Sequence, residues 1–262
     1  ILELDAIEAV PVEEQNVIFR PNVGPQTEFL AAGEREVLYG GSAGGGKSYA
    51  MLADPLRYMG HPSFSGLLLR HTTEELRELI FKSKEIYPQI WKGIKWSERK
   101  MQWEAPSGAR LWMSYLDRDD DVLRYQGLAF SWIGFDELTQ WSTPYAWNYM
   151  RSRLRSVAQD LPVYMRATTN PGGPGHQWVK KMFIDPAPYG RNFNATDIES
   201  GNVLSYPKGH SKAGQALFKR RFIPARLSDN PYLSAQGDYE AMLLSLPEHQ
   251  RRQLLEGDWD IK

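Results

Sequence analysis

The sequence of 262 residues contains no cysteine. That excludes disulfides, thiol nucleophiles and thiolate metal centres, and it suits a reducing compartment. Its five histidines are scattered, with no pair at metal-ligand spacing, which argues against a structural zinc site. No apolar run comes near the roughly 20 residues a helix needs to cross a bilayer. The opening Ile1-Leu2-Glu3-Leu4-Asp5 lacks the basic-then-apolar order of a signal peptide. The expectation is a soluble cytoplasmic protein with no membrane partner. A charge surplus is missing too. With 31 basic against 32 acidic residues the net charge is −1, so any hold on nucleic acid has to come from a local basic face.

What is present is an ordinary globular composition, 42% hydrophobic, in a chain long enough for one large domain or a domain with a small appendage. Residues 1–25 read as irregular and Gln26–Ala32 as a short helix closed by Gly33. Val37-Leu38-Tyr39 is a β-prone run. A helix is expected over Lys47–Tyr58, bent or ended by Pro55. Gly66–Arg70 reads as a buried parallel strand, followed by a helix to about Tyr87 whose start carries the capping residues Thr72-Thr73-Glu74-Glu75. Around Pro106-Ser107-Gly108, the runs holding Trp96, Met101 and Trp103 and then Leu111, Trp112 and Tyr115 predict an antiparallel hairpin. Its tryptophans read as packing residues. Further strands are expected at Phe130–Phe135, Val163–Thr168 and Arg221–Leu227, with a helix over Pro144–Arg155. Tyr239, Met242, Leu243 and Leu246 recur at helical spacing, Pro247 restarts a helix and Gly257 ends it. Strands alternate with helices, so the class is α/β with a mainly parallel sheet.

The sharpest motif is Gly41-Ser42-Ala43-Gly44-Gly45-Gly46-Lys47-Ser48, which fits G-x-x-x-x-G-K-[ST] between a β run and a helix. Glycines let the backbone curl so that successive N–H groups face a polyphosphate. The helix that follows adds its positive end. Lys47 is expected to reach the β- and γ-phosphates and Ser48 to ligate Mg²⁺. The strand ending in Asp136-Glu137 supplies the second half: Asp136 to hold the metal, Glu137 to polarise the attacking water as general base. The strand ending in Ala167-Thr168-Thr169-Asn170-Pro171 places Thr169 and Asn170 near the ligand crevice of an open α/β sheet. There they either sense the γ-phosphate or merely open a Pro-Gly turn.

These segments, in this order, resemble the N-terminal ATPase domain of a large terminase subunit, the DNA-packaging motor of tailed bacteriophages. Besides the loop, the likeness is carried by Leu67-Leu68-Leu69-Arg70, by Trp132-Ile133-Gly134-Phe135-Asp136-Glu137-Leu138-Thr139, by Ala167-Thr168-Thr169-Asn170-Pro171-Gly172-Gly173 and by Leu254-Leu255-Glu256-Gly257-Asp258-Trp259. The resemblance implies a P-loop fold of the additional-strand, catalytic-glutamate type, the extra strand being the one that ends at Thr169. It implies ATP as the nucleotide, with Gln26 at the adenine. It also implies a ring, in number a pentamer, in which an arginine reaches the neighbour's γ-phosphate. Arg124, in Arg124-Tyr125-Gln126-Gly127, stands two positions from the family's place for that arginine, and Arg70 is a second candidate for phosphate or coupling work.

The implied partners are double-stranded DNA, the portal protein and the small terminase subunit, met in the host cytoplasm at the procapsid. Basic clusters that can track a duplex are Arg151, Arg153 and Arg155, then Lys180-Lys181, then Lys219-Arg220-Arg221. Residues 1–226 are expected to form the ATPase domain and 227–262 a helical lid or linker. No nuclease is expected within the chain. A helicase-type ATPase and a nucleotide-dependent assembly module are the competing readings. His176 reads as a structural loop residue.

Overall fold

The computed structural model describes residues 19–234 and 237–261. Its centre is a nine-stranded sheet. In chain order the strands are β1 (Glu36–Gly41), β2 (Ser65–Arg70), β3 (Lys95–Ser97), β4 (Gln102–Glu104), β5 (Arg110–Tyr115), β6 (Trp132–Phe135), β7 (Tyr164–Thr169), β8 (Asn192–Asn194) and β9 (Lys219–Ala225). They lie in the order β3-β4-β5-β2-β6-β7-β1-β9-β8. The six from β5 to β9 across the middle are parallel, and β3, β4 and β8 close the edges antiparallel. Strand β7 sits between β1 and β6, pairing Leu38 with Ala167 and Phe135 with Ala167. It is the additional strand expected to end at Thr169.

The central strands are apolar throughout because both faces are covered. Leu67 and Leu69 on β2 point into a core with Phe135, Trp147, Met165 and Phe183. Leu68, one residue out of phase, points into a second core with Met51, Leu79, Tyr87 and Trp103. Val37 and Tyr39 pack with Phe29, Ala50 and Ile223 in a third. Trp103 is buried and Trp96 and Trp112 are partly buried against the two large cores, so the hairpin tryptophans are packing residues.

The helices are α1 (Pro25–Ala31), α2 (Lys47–Ala53), α3 (Thr73–Ile90), α4 (Tyr145–Arg151), α5 (His176–Val179), α6 (Pro231–Ser234), α7 (Asp238–Leu244) and α8 (Glu248–Arg251). Helix α3 starts where its sequence says: Thr72 Oγ1 accepts the Glu75 amide and Glu75 answers the Thr72 amide. Helix α2 stops short of Tyr58 and tightens into a 3₁₀ turn over Asp54–Tyr58, since Pro55 has no amide to continue the α pattern. Helix α4 also stops short, at Arg151 instead of Arg155. The Phe130 amide donates to Arg153 O and the Arg155 amide to Phe130 O, and this bridge at Leu154 takes the chain out of the helix after the turn at residues 152–153. The expected single run from Trp96 to Trp103 is two strands joined by a turn in which Met101 has φ 51°. Strand β8 carried no signal of its own. Helix α8 runs on as a π-helical turn over Arg252–Glu256, and Gly257 ends it at φ 65°. The irregular reading of residues 1–18 lies outside the described residues.

Candidate nucleotide-binding site

Strand β1 delivers the glycine loop to the carboxyl end of the sheet. Gly41 has φ 143°, and a Cβ on it would stand 2.1 Å from Ala225 O, so no larger residue fits. Gly44 and Gly46 take φ 77° and 73°, the left-handed region open to glycine. The loop is tied from outside. The Ser42 amide donates to Ala225 O at 2.9 Å and the Ala43 amide to Leu254 O at 2.6 Å. Tyr39 Oη donates to Gly45 O at 2.8 Å and Asn230 Nδ2 to Gly44 O at 2.5 Å. These bonds hold the carbonyls of the loop outward. Among the described residues no protein acceptor takes the amide hydrogens of Gly44, Gly45, Gly46, Lys47 or Ser48. They border a cavity of about 270 Å³ whose far wall carries Glu137 and Asn170.

Lys47 is buried and donates to Ser42 O at 2.6 Å. Burial pushes its ammonium below the ordinary lysine range, against the pull of Glu137 and Asp136. Asp136 is fully buried at the end of β6. It accepts the Thr168 hydroxyl on one oxygen and faces Arg70 Nη2 at 2.8 Å on the other. Glu137 follows in the left-handed conformation, φ 60° and ψ 56°. Among the described residues only Met101 shares a positive φ without being glycine. Such a conformation costs on the order of 1–3 kcal/mol and persists where surrounding structure enforces it; here it turns the carboxylate of Glu137 to the cavity wall. Withdrawal from water, and then the neighbouring Asp136 charge, raise the Glu137 carboxyl above the usual glutamate range, while Lys47 and Arg70 pull it back. Asn170 Oδ1 is buried with no hydrogen-bond partner, and its residue lines the cavity.

A family model described as phage terminase large subunit matches residues 34–213, more than half of the chain. The chain belongs to the phage terminase large subunit family. No curated protein matches it. Among solved structures it is similar to the large terminase from a thermophilic bacteriophage in complex with ADP, with 17% identity and TM-score 0.64 over 91% of this chain and 54% of that one. The same thermophilic-phage protein in complex with ATP-gamma-S gives 15% identity and TM-score 0.62 over 91% and 53%. The Thermus phage P74-26 large terminase ATPase domain gives 12% identity and TM-score 0.56 over 92% and 94%. At such identities the likeness is one of fold: the α/β P-loop NTPase fold of terminase ATPase domains. The chain spans about half the length of the first of these large terminases.

Within this terminase fold the expected residues fall into three groups. Ala43 to Ser48 of the loop, Glu137 and Asn170 share one cavity, Gly41 and Ser42 lie outside its lining, and Asp136 adjoins it through Glu137. Gln26 borders a second cavity of about 450 Å³, whose lining includes Phe19, Tyr49, Tyr232 and Leu233. It is buried, its amide oxygen accepts the Asn22 amide at 2.6 Å, and its NH₂ donates to Gly46 O at 2.9 Å. The two cavities have Gly46, Tyr49, Asn230 and Leu233 in common. Arg124 is away from both, on a 3₁₀ turn, half-exposed, donating to Tyr115 O at 2.9 Å and facing Asp121 at 3.3 Å.

The basic clusters divide in the same way. Arg220 is buried against Glu36 at 2.6 Å, and Arg151 pairs with the other oxygen of Glu36. Arg221 pairs with Glu28 at 2.5 Å. Arg220 and Arg151 hold the fold together around the buried Glu36, while Arg221 is taken up in a solvated pair. Lys181, Arg155 and Lys219 remain exposed. Four participants at the site have no role assigned by the sequence: Tyr39, Thr168, Lys82 and Asn230. Tyr39 and Thr168 sit beside residues already singled out, and a polar side chain near the end of a buried strand was the available signal; in the structure their hydroxyls reach Gly45 O and Asp136. Lys82 and Asn230 come from remote parts of the chain and carry no motif.

Proposed function

We propose that the chain binds ATP with Mg²⁺ on the Gly41–Ser48 loop and hydrolyses it as the motor domain of a terminase, driving double-stranded viral DNA into a procapsid. The observation that carries this reading is the meeting of Lys47, Ser48, Glu137 and Asn170 on one cavity, bordered by the amides of Gly44 to Ser48, which among the described residues have no protein acceptor. The solved relative from the thermophilic phage is in complex with ADP in one structure and with ATP-gamma-S in another. The partly apolar second cavity, walled by Phe19, Tyr49 and Tyr232, suits the base, with Gln26 fixing the loop beside it.

The donor set fits a hard cation: the Ser48 hydroxyl and the Asp136 carboxylate are the oxygen donors such an ion takes, and they would hold Mg²⁺. When bound, Mg²⁺ would neutralise the negative charge of the phosphates. The chain's own residues do the rest. Lys47 leaves Ser42 O for the phosphate oxygens. Arg70 and Thr168 fix Asp136. Glu137 orients a water and takes one of its protons at the carboxylate as the water oxygen bonds to the terminal phosphorus and the bridging oxygen leaves with ADP. A carboxyl raised above the usual range is a better proton acceptor at neutral pH than an ordinary glutamate. Asn170, with its unpartnered Oδ1, is placed for the attacking water or the terminal phosphate.

We further infer that an arginine from a neighbouring subunit completes the site in a ring on the portal, in the host cytoplasm, with the small terminase subunit as partner. Arg124, exposed and remote from its own cavity, has the placement of a group that acts on a neighbour. Residues 227–262 act as a lid or linker, a role supported by the bonds of Asn230 and Leu254 to the loop. Phosphate release at high protein concentration, with and without duplex DNA, tests the reading. Turnover that rises with DNA and collapses in Lys47→Ala and Glu137→Ala supports it. Absence of phosphate release under both conditions hands the field to the assembly module, and strand separation by the chain alone to a helicase.

A further inference from the structure

Two cations line the nucleotide cavity, Lys47 from its floor and Lys82 from helix α3. Lys82 is held by little. Its Nζ lies 2.6 Å from Glu78 Oε1, four residues earlier on the helix, and that glutamate is 64% exposed. Such solvated i,i+4 pairs are weak. The ammonium also stands 5.9 Å from the ring centre of Tyr49, the residue after Ser48, at the outer reach of a cation–π contact. The backbone beneath it is fixed, because Leu76, Leu79, Ile80, Ser83 and Tyr87 are buried along the other face of α3. Only the flexible lysine stem has to move. Arg70, the next cation, is buried and paired with Asp136.

We propose that Lys82 is a second phosphate-contacting lysine of this site, which leaves Glu78 for the terminal phosphate of the bound nucleotide. The proposal rests on the nucleotide reading above. Lys82 shares its cavity with Glu137 and Asn170 and is absent from the lining of the base-sized cavity, so it faces the hydrolysed end of the ligand. A terminal phosphate brings more than one negative charge and three acceptor oxygens, and it displaces a single solvated carboxylate. Glu78 is therefore a competitor for the lysine before nucleotide binds, and it gives the lysine up when a triphosphate arrives.

Calorimetric titration of the 262-residue chain with Mg-ATPγS and with Mg-ADP tests this. Lys82→Ala is expected to weaken ATPγS about tenfold while ADP changes less than about twofold. Glu78→Gln, which frees the lysine, is expected to tighten ATPγS by about two- to threefold, the opposite sign. Thermal melting of both variants checks that they fold. A Lys82→Ala variant that binds ATPγS like the parent, or that loses ATPγS and ADP equally, overturns the proposal. In the same titrations Lys47→Ala separates the two layers. Loss of binding there with Lys82→Ala silent sinks the Lys82 role alone, and a parent chain that binds neither nucleotide sinks both.

Discussion

The carbonyl of Leu254 accepts the amide hydrogen of Ala43 at 2.6 Å, so the last helical turn of the chain is fastened directly to the phosphate loop. The fastening depends on Gly257. It ends that turn at φ 65°, and a Cβ there would stand 2.6 Å from Ser42 N and 3.0 Å from Gly41 C.

Gly257→Ala is therefore expected to destabilise the fold by about 1–3 kcal/mol through left-handed strain, and to push the loop out of shape besides. Gly201 is the internal control, with φ 71° and nothing within 4 Å of the point a Cβ would occupy. Gly201→Ala incurs the strain alone. Thermal melting compares the two, and only the Gly257 variant should also show a raised KM for ATP.

Glu137→Gln should separate stability from turnover. The carboxyl is raised in the fold above its value in the unfolded chain, so the folded state holds on to this proton more tightly. Stability contributed by the group is full at pH below the unfolded glutamate value, near 4.3, and is lost as pH climbs through the folded one. The neutral amide escapes that loss. Melting curves should show Glu137→Gln more stable than the parent at pH 8 and converging with it near pH 4, while phosphate release falls by about 10²–10⁴-fold. A variant less stable at pH 8 contradicts the assigned charge balance.

The cluster around Glu36 predicts a split among the basic residues. Burial alone would raise the Glu36 carboxyl, but Arg220 and Arg151 together hold it below the usual range. Glu36→Gln leaves two guanidiniums facing no charge, one of them buried, and should cost about 3–5 kcal/mol. Denaturant titration reads this. Arg220→Ala and Arg151→Ala should likewise act on stability. Lys181→Ala, at an exposed position, should leave stability alone; if this face follows the duplex, the slope of log affinity against log salt drops by about 1.

How far these features were legible in the sequence depends on how far apart their parts lie. The loop and the Asp136-Glu137 pair are contiguous and their chemistry dictates residue type, so both could be read directly. So could the buried strands: Leu67-Leu68-Leu69 is apolar at every position because it is covered on both faces. The ties that shape the loop were not legible. Ser42 to Ala225 and Asn230 to Gly44 join residues 183 and 186 positions apart. Local pattern also failed where a distant strand intervened, as when Phe130 bridges Leu154 and cuts α4 short. The run Lys219-Arg220-Arg221 reads as a solvated patch, but β-strand alternation sends Arg220 inward to Glu36 and leaves Lys219 outside.

The final relationship is between His176 and Trp259. Their rings stack with centres 5.3 Å apart. His176 Nδ1 accepts the Gly172 amide at 2.8 Å, so the ring proton sits on Nε2, which faces Trp259 O at 3.2 Å. The neutral ring thus joins the turn after Asn170 to the end of the chain. Burial pushes the imidazole below its ordinary value, with the Trp259 carbonyl, Asp185 and Asp258 pulling the other way and Lys180 adding to the depression. A depressed histidine contributes stability above its unfolded value, near 6.5, and loses it as pH falls through the folded one. A second proton also destroys the acceptor for Gly172. Between pH 7 and 5 the parent should lose stability and gain hydrogen exchange at the Gly172 amide and in residues 252–259. His176→Asn, whose amide oxygen can still accept from Gly172, should be less stable at pH 7 for want of the Trp259 bond, but flatter across that range. An equally steep fall in the asparagine variant would place the acid sensitivity outside His176.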